Sequence, residues 1–211
     1  MMYLSGAYLS PETMDGLQFA VSLNHPTIGL NFECNAFCNL FNDIITFDNG
    51  VLRNAGAFKI AGVENVLSYK HARHTAMLNV TYQHVLDYDS YLVYEDKVFS
   101  VPKFMGKLMY NFNALNSVRY GTLDLHANLT FNGKTNSKNY RVTTDGVIDA
   151  LLTIPGKPVV NAGVDYSWRA FALSCNIYNV FNQNANYGST LSRLVPIMGR
   201  NFMLTLKANI K

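Results

Sequence analysis

From Pro158 onward the chain alternates residue by residue. Val160, Ala162, Val164, Tyr166 and Trp168 fall on one side of an extended backbone, and Asn161, Gly163, Asp165, Ser167 and Arg169 on the other. After Trp168 the pattern resumes, with Phe171, Leu173, Cys175 and Ile177 against Ala172, Ser174 and Asn176. A strict period of two marks strands with one apolar face. The same rhythm runs through Leu17–Leu23, Leu30–Cys38, Phe58–Tyr69, Ala76–Tyr82, Phe104–Phe112, Leu123–Phe131 and Phe202–Ile210. In the third of these, Phe58, Ile60, Leu67 and Tyr69 are read as one apolar series. The prediction is an all-β chain, a curved antiparallel meander of about nine long strands.

What the apolar face touches is decided by strand length and connections. Globular strands average five or six residues, whereas strands crossing a bilayer need about nine to eleven. The connections alternate. Asn24–Gly29, Lys70–His74, Ala114–Ser117 and Trp168–Phe171 are short; Asp48–Asn54, Asp87–Val98, Asn132–Lys157 and Asn182–Ile197 are long. Short turns on one rim and long loops on the other are the habit of outer-membrane barrels. Aromatics gather near the strand ends, at Tyr69, Tyr82, Tyr110, Phe112, Trp168, Phe171 and Phe181, where a barrel carries its interfacial girdles. The apolar faces hold no charged residue, which suits lipid. The opposite faces carry Asn31, Glu33, Asn79, Lys107, Asn111, Asp124, Asn128, Asp165, Asn176 and Lys207, the lining expected of a watery lumen.

Composition agrees. Charged residues make up 15% of the 211 residues, against about 25% in an ordinary domain. The net charge is only +3 and the basic residues are scattered, which argues against nucleic acid as a partner. No apolar run reaches the length of a spanning helix. The start, MMYLSGAYLSPE, lacks the plan of a secretory signal. Cys34, Cys38 and Cys175 all lie on apolar faces. Cys34 and Cys38 stand too far apart along one strand for a disulfide, so the three are read as small apolar fillers.

The chain resembles the C-terminal part of the barrel of TonB-dependent outer-membrane receptors. Leu9-Ser10-Pro11-Glu12-Thr13 resembles the family's L-x-P-E lead-in to a strand. Asn39–Thr46, NLFNDIIT, resembles a strand end, and Asn54-Ala55-Gly56 through Ala61-Gly62-Val63-Glu64 the strand that follows. Val101-Pro102-Lys103 is similar to a proline-led strand start. Ile177-Tyr178-Asn179-Val180-Phe181-Asn182 resembles the penultimate-strand N-L-F-D/N, and Gly199-Arg200-Asn201-Phe202 the final-strand G-R-x-F. The chain departs from the family in ending Asn209-Ile210-Lys211 instead of on an aromatic residue, and in placing Asn65 where a lipid-facing apolar residue is usual.

The resemblance implies the wall and extracellular loops of a receptor that imports a scarce nutrient: an iron–siderophore, a cobalamin or a glycan. It implies lodging in the outer membrane of a Gram-negative bacterium, with lipid as partner. It also implies a plug domain and further barrel strands that are not found within residues 1–211, with TonB engaged only through that plug. The family's barrels are of the plugged 22-stranded type, so the expected sheet is open or imperfectly closed. A small complete outer-membrane barrel with a structural or adhesive role, and a soluble ligand-binding β-barrel, are the rival readings.

Chemistry is sparse. No nucleophile elbow, phosphate loop or cofactor motif is present, so neither an enzyme nor a cofactor is expected. His71 and His74 are read as solvated turn residues with no supporting metal ligand. Asp87, Asp89, Glu95 and Asp96 interleave with Tyr88, Tyr91 and Tyr94 in an acidic, tyrosine-rich loop. Together with Asn184 and Tyr187 of the last long loop, Tyr88, Tyr91, Tyr94 and Asp96 are the candidates for ligand contact, because loops on a rigid scaffold carry binding.

Overall fold

The computed structural model describes residues 9–48, 51–54, 56–88, 102–143, 146–190 and 193–209. Among these there is no helix. Fifteen strands form: β1 (Thr13–His25), β2 (Leu30–Asn42), β3 (Ile45–Asp48), β4 (Val51–Asn54), β5 (Phe58–His71), β6 (His74–Tyr88), β7 (Phe104–Ser117), β8 (Gly121–Asn132), β9 (Thr135–Thr143), β10 (Gly146–Ile154), β11 (Pro158–Trp168), β12 (Phe171–Tyr178), β13 (Asn186–Thr190), β14 (Arg193–Pro196) and β15 (Asn201–Ala208).

Nine of them make one antiparallel sheet in the order β1-β2-β5-β6-β7-β8-β11-β12-β15. The other six form three separate hairpins, β3–β4, β9–β10 and β13–β14. Each hairpin grows from the same rim, out of connections read from the sequence as long loops. The opposite rim holds only tight turns. Among the described residues β1 pairs only with β2 and β15 only with β12, so the sheet is open along two edges.

Register brings the apolar positions of all nine strands onto one surface. Leu17, Phe19, Val21 and Leu23 lie opposite Cys38, Ala36, Cys34 and Phe32. Leu67 sits between Phe32 and Leu78, Leu108 between Leu78 and Leu129, and Leu173 between Tyr166 and Leu206. These side chains are bare: Leu108 is 41% exposed, Leu173 38%, and Leu204 on the edge strand 71%. Only Ile60, Ile154 and Ala185 are buried apolar residues among those described, and no large side chain is fully covered. The accessible surface is 15219 Å², whereas a compact monomer of this mass exposes about 10,000 Å². Such a surface is stable only against an apolar solvent. Each inner strand of the sheet is meanwhile hydrogen-bonded to a neighbour on both sides, as a bilayer demands.

The structure corrects two local readings and agrees with a third. Phe58 and Ile60 face the polar side: Phe58 stacks on Phe41 with ring centroids 4.4 Å apart, and Ile60, opposite Asn39, is 8% exposed. A nine-residue step from Phe58 to Leu67 is odd, so strict alternation puts the two on opposite faces. The third short turn is Val118–Tyr120, with β7 running on to Ser117, because a bulge between Asn113 and Leu115 absorbs one residue and shifts the phase. Asn65 does stand among apolar neighbours, between Cys34 and Val80.

Candidate functional site

At the outer rim, two clusters of backbone-directed hydrogen bonds hold the roots of the hairpins. In the first, the Asn54 amide donates to the carbonyls of Ser10 (2.9 Å) and Asp43 (2.6 Å), and its Oδ1 accepts from Ser10 N–H (2.8 Å). Glu12 accepts from Ile45 N–H at 2.7 Å and so caps the start of β3. The chain bends sharply here, with Asp43 at φ 54° and Gly56 at φ 93°. Ser10, Glu12, Asp43 and Asn54 thus form one clasp at the base of β3–β4.

The second clasp is built on Asn179, which is 3% exposed. Its Nδ2 donates to the carbonyls of Gln183 (2.9 Å) and Met198 (3.1 Å), and its Oδ1 accepts from Gln183 N–H (2.7 Å). Its own N–H donates to Asn161 Oδ1 at 2.8 Å. Asn179 and Asn182 both lie in the left-handed region, at φ 52° and 50°, which asparagine tolerates better than most residues. Asn182 Oδ1 accepts from Arg200 N–H at 2.9 Å, and an Arg200 guanidinium nitrogen reaches Val180 O at 3.4 Å. Phe181 stands out from this turn, 67% exposed, and Phe202 begins the bare face of β15 at 72%. Gly199 leads into β15, its carbonyl accepting from the Asn201 amide at 3.0 Å. The turn after β12 is therefore fastened to β11 on one side and to the start of β15 on the other.

Beside this clasp a cavity of about 470 Å³ opens on the polar face. Thr130, Asn132, Val159, Asn161, Tyr178 and Asn201 form its floor, while Ile154, Ala185 and Met198 give it an apolar side. Lys157 lines it too, its Nζ held 2.6 Å from Asn184 O. The cavity faces what would be the lumen, just beneath the bases of β9–β10 and β13–β14.

Toward the turn rim the same face carries a cross-strand polar ladder. Asn113 donates to Asp124 (2.9 Å), Asn161 to Asn128 (2.9 Å), and Thr122 and Ser167 share a bond of 2.6 Å. His126 lies 3.1 Å from Asp165 through Nδ1 and 3.0 Å from Asn176 through Nε2. The latter bond passes over Gly163, where a Cβ would come within 2.3 Å of His126 and 2.4 Å of Asn176. Gly62 plays the same part on β5: a Cβ there would meet the Phe37 ring and Tyr82 O, each at 2.6 Å. Glu64, two residues on, is exposed.

Of the ligand candidates, Tyr88 ends β6 opposite Phe58, and Tyr187 lies in β13. Asn184 is exposed and bonded through its carbonyl to Lys157 beside the cavity. Tyr91, Tyr94 and Asp96, with Asp89 and Glu95, fall outside the described residues. Among the described residues no group of three or more His, Cys, Asp or Glu side chains is placed to hold a metal. His74 is more than a solvated turn residue: its Nδ1 lies 2.7 Å from the Tyr110 hydroxyl and its ring stacks on Phe112 at 5.0 Å. Gln183 and Met198 escaped the sequence reading, and so did the bonds that Asn161 and Asn182 make, since these contacts run to backbone groups that alternation does not register.

The sequence matches the family described as TonB dependent receptor-like, beta-barrel, over residues 2–180. The chain belongs to this family. TonB-dependent receptors are outer-membrane proteins of Gram-negative bacteria, which fits an apolar face turned to lipid. No curated protein matches the sequence. Among solved structures the fold is similar to the ferripyoverdine receptor of Pseudomonas aeruginosa, with TM-score 0.78, 14% identity, and coverage of 96% of this chain and 28% of that one. It is similar to the FrpB iron transporter of Neisseria meningitidis, with TM-score 0.72, 16% identity, and coverage of 97% and 32%. The ferric-catecholate import receptor Fiu of E. coli K12 gives TM-score 0.70, 16% identity, and coverage of 99% and 30%. The chain thus spans under a third of each of these receptors.

Proposed function

We infer that the chain is the C-terminal barrel wall and outer-rim hairpins of a receptor that imports a scarce nutrient, with an iron–siderophore as the favoured cargo over cobalamin or a glycan. The observation that carries this reading is the joint one: the family match over residues 2–180, and a sheet that follows iron receptors over nearly its whole length. The clasped hairpins and the cavity beside Asn179 form the capture side. A plug supplied by the rest of the receptor occupies the lumen beside the polar ladder, and TonB acts on that plug to release cargo. The wall itself performs no covalent chemistry.

The open edges support a larger assembly. β1 and β15 run in the same direction, from the outer rim toward the turns, because an antiparallel meander of nine strands starts and ends with one sense. An all-antiparallel barrel closes only by adding an odd number of strands, and bare edges are not tolerated in lipid. This speaks against a small complete barrel. The bare apolar face, with the cavity beside Asn179 on the polar side, speaks against a soluble one. The test is uptake of labelled cargo by cells carrying the intact receptor, compared with cells in which the coding region for residues 1–211 is deleted in frame. Loss of ferric-siderophore uptake with cobalamin and glycan uptake intact supports the reading. Unchanged iron uptake with loss of another nutrient overturns the choice of cargo.

A further inference from the structure

The four tight turns occupy residues 25–30, 70–75, 117–121 and 168–171, and none contains an acidic residue. They carry Lys70, Arg73, Arg119 and Arg169, the three arginines all exposed. The acidic residues nearest the last two turns, Asp124 and Asp165, point to the polar face and are engaged by Asn113 and His126. Among the described residues no carboxylate lies within ion-pair distance of Arg73, Arg119 or Arg169.

Two of these arginines lie over aromatic rings of the turns. The Arg169 guanidinium carbon lies 4.5 Å from the Trp168 ring centre, and that of Arg119 lies 5.2 Å from the Tyr120 ring centre. Trp168 pairs with Phe171 on the apolar surface. The aromatic tips are turned inward to the turn backbone: Trp168 Nε1 donates to Arg119 O at 3.0 Å and the Tyr166 hydroxyl to Tyr120 O at 2.7 Å. Gly121, at φ 84°, lets the β7–β8 turn approach Ser167 closely enough for these bonds. The two turns are thereby locked together as a unit with two cationic groups on its outer surface. A guanidinium stacked on a ring keeps its edge N–H donors free, and those donors match a phosphate in bidentate geometry. The location is where the apolar face ends and the headgroup layer begins.

We propose that the paired β7–β8 and β11–β12 turns form a binding surface for the headgroup phosphate of an anionic phospholipid in the inner leaflet, gripped by Arg119 and Arg169. This rests on the membrane placement of the sheet and is independent of the cargo. The intact receptor is purified from membranes, reconstituted in nanodiscs of phosphatidylglycerol and phosphatidylcholine in equal amounts, and the annular lipid retained on detergent extraction is counted by mass spectrometry. Native protein should retain phosphatidylglycerol in excess over phosphatidylcholine. The excess should fall about fivefold for each arginine in R119Q and R169Q and weaken with salt, and R119K/R169K, which keeps the charge without the bidentate fork, should fall between native and R119Q/R169Q. Native-like mobility of the unheated barrel on a denaturing gel marks the folded variants. An unchanged excess in folded R119Q/R169Q overturns the proposal. Equal competition by free inorganic phosphate at the same concentration would make it a soluble-anion site and also overturns it. So does loss of a co-purifying acidic protein with lipid retention intact.

Discussion

Replacing Asn179 with alanine removes three hydrogen bonds from a side chain that is 3% exposed: two to the carbonyls of Gln183 and Met198, and one from Gln183 N–H. Gln183 is half-buried, so water partly replaces the lost partners; at about 1 kcal/mol for each bond the loss is about 3 kcal/mol. Alanine must also hold the left-handed backbone that Asn179 adopts at φ 52°, which costs about 1 kcal/mol more. The damage is confined to the clasp, because the β11–β12 ladder does not depend on this side chain. Hydrogen exchange on the intact receptor in detergent measures it directly. Amides of Gln183 and Ile197, the latter bonded to Ala185 O, should exchange faster by at least about two orders of magnitude. Amides between Val164 and Cys175 should be unaffected. Asn179→Gly, which keeps the backbone free but loses the bonds, should be milder by roughly fivefold. Exchange at Gln183 and Ile197 equal to native in the alanine variant refutes the clasp. So does acceleration spread evenly through β11 and β12.

Other substitutions probe the two faces and the first clasp. Gly62→Ala places a Cβ against Tyr82 O as well as Phe37; it should destabilise the barrel by about 1–3 kcal/mol in a urea-unfolding titration, and Phe37→Ala should relieve only part of that. Leu108→Arg, on the apolar face between Leu78 and Leu129, should cost about 2–4 kcal/mol in the same assay, while Lys107→Ala on the polar face stays near native. Asn54→Ala breaks three bonds to Ser10 and Asp43 and should make the segment after Asp43 a new site of limited proteolysis, with β5–β6 still resistant.

The nine-strand sheet was legible because lipid imposes a period of two on every strand that crosses it. Val160–Trp168 and Phe202–Ala208 show that rhythm plainly. β9 and β10 were not legible. Thr135–Thr143, TNSKNYRVT, has no apolar face to alternate, since a two-stranded ribbon beyond the bilayer needs none. Its pairing comes from the backbone ladder, which leaves no trace in hydropathy. The odd step between Ile60 and Leu67 was visible in the numbering but masked by the abundance of apolar residues on both faces of β5, where Val66 and Ile60 share the polar side with Gly62. The family motifs were legible as motifs but not as mechanics. Asn179 and Asn54 act through bonds to backbone groups distant in sequence, such as Asn54 to Ser10 and Asn179 to Met198, and only the folded register brings those groups within reach.

One face of the meander meets lipid and the other water. Single spin labels placed in turn from Val160 to Trp168 on the intact receptor in a bilayer measure this, by collision with oxygen, which partitions into lipid, and with a water-soluble nickel chelate. Oxygen maxima are expected at Val160, Ala162, Val164 and Tyr166 and nickel maxima at Asn161, Asp165 and Ser167, with Gly163 left unlabelled because a Cβ there meets His126 and Asn176. Nickel access at every position, or protection of the apolar series from both reagents, would contradict it.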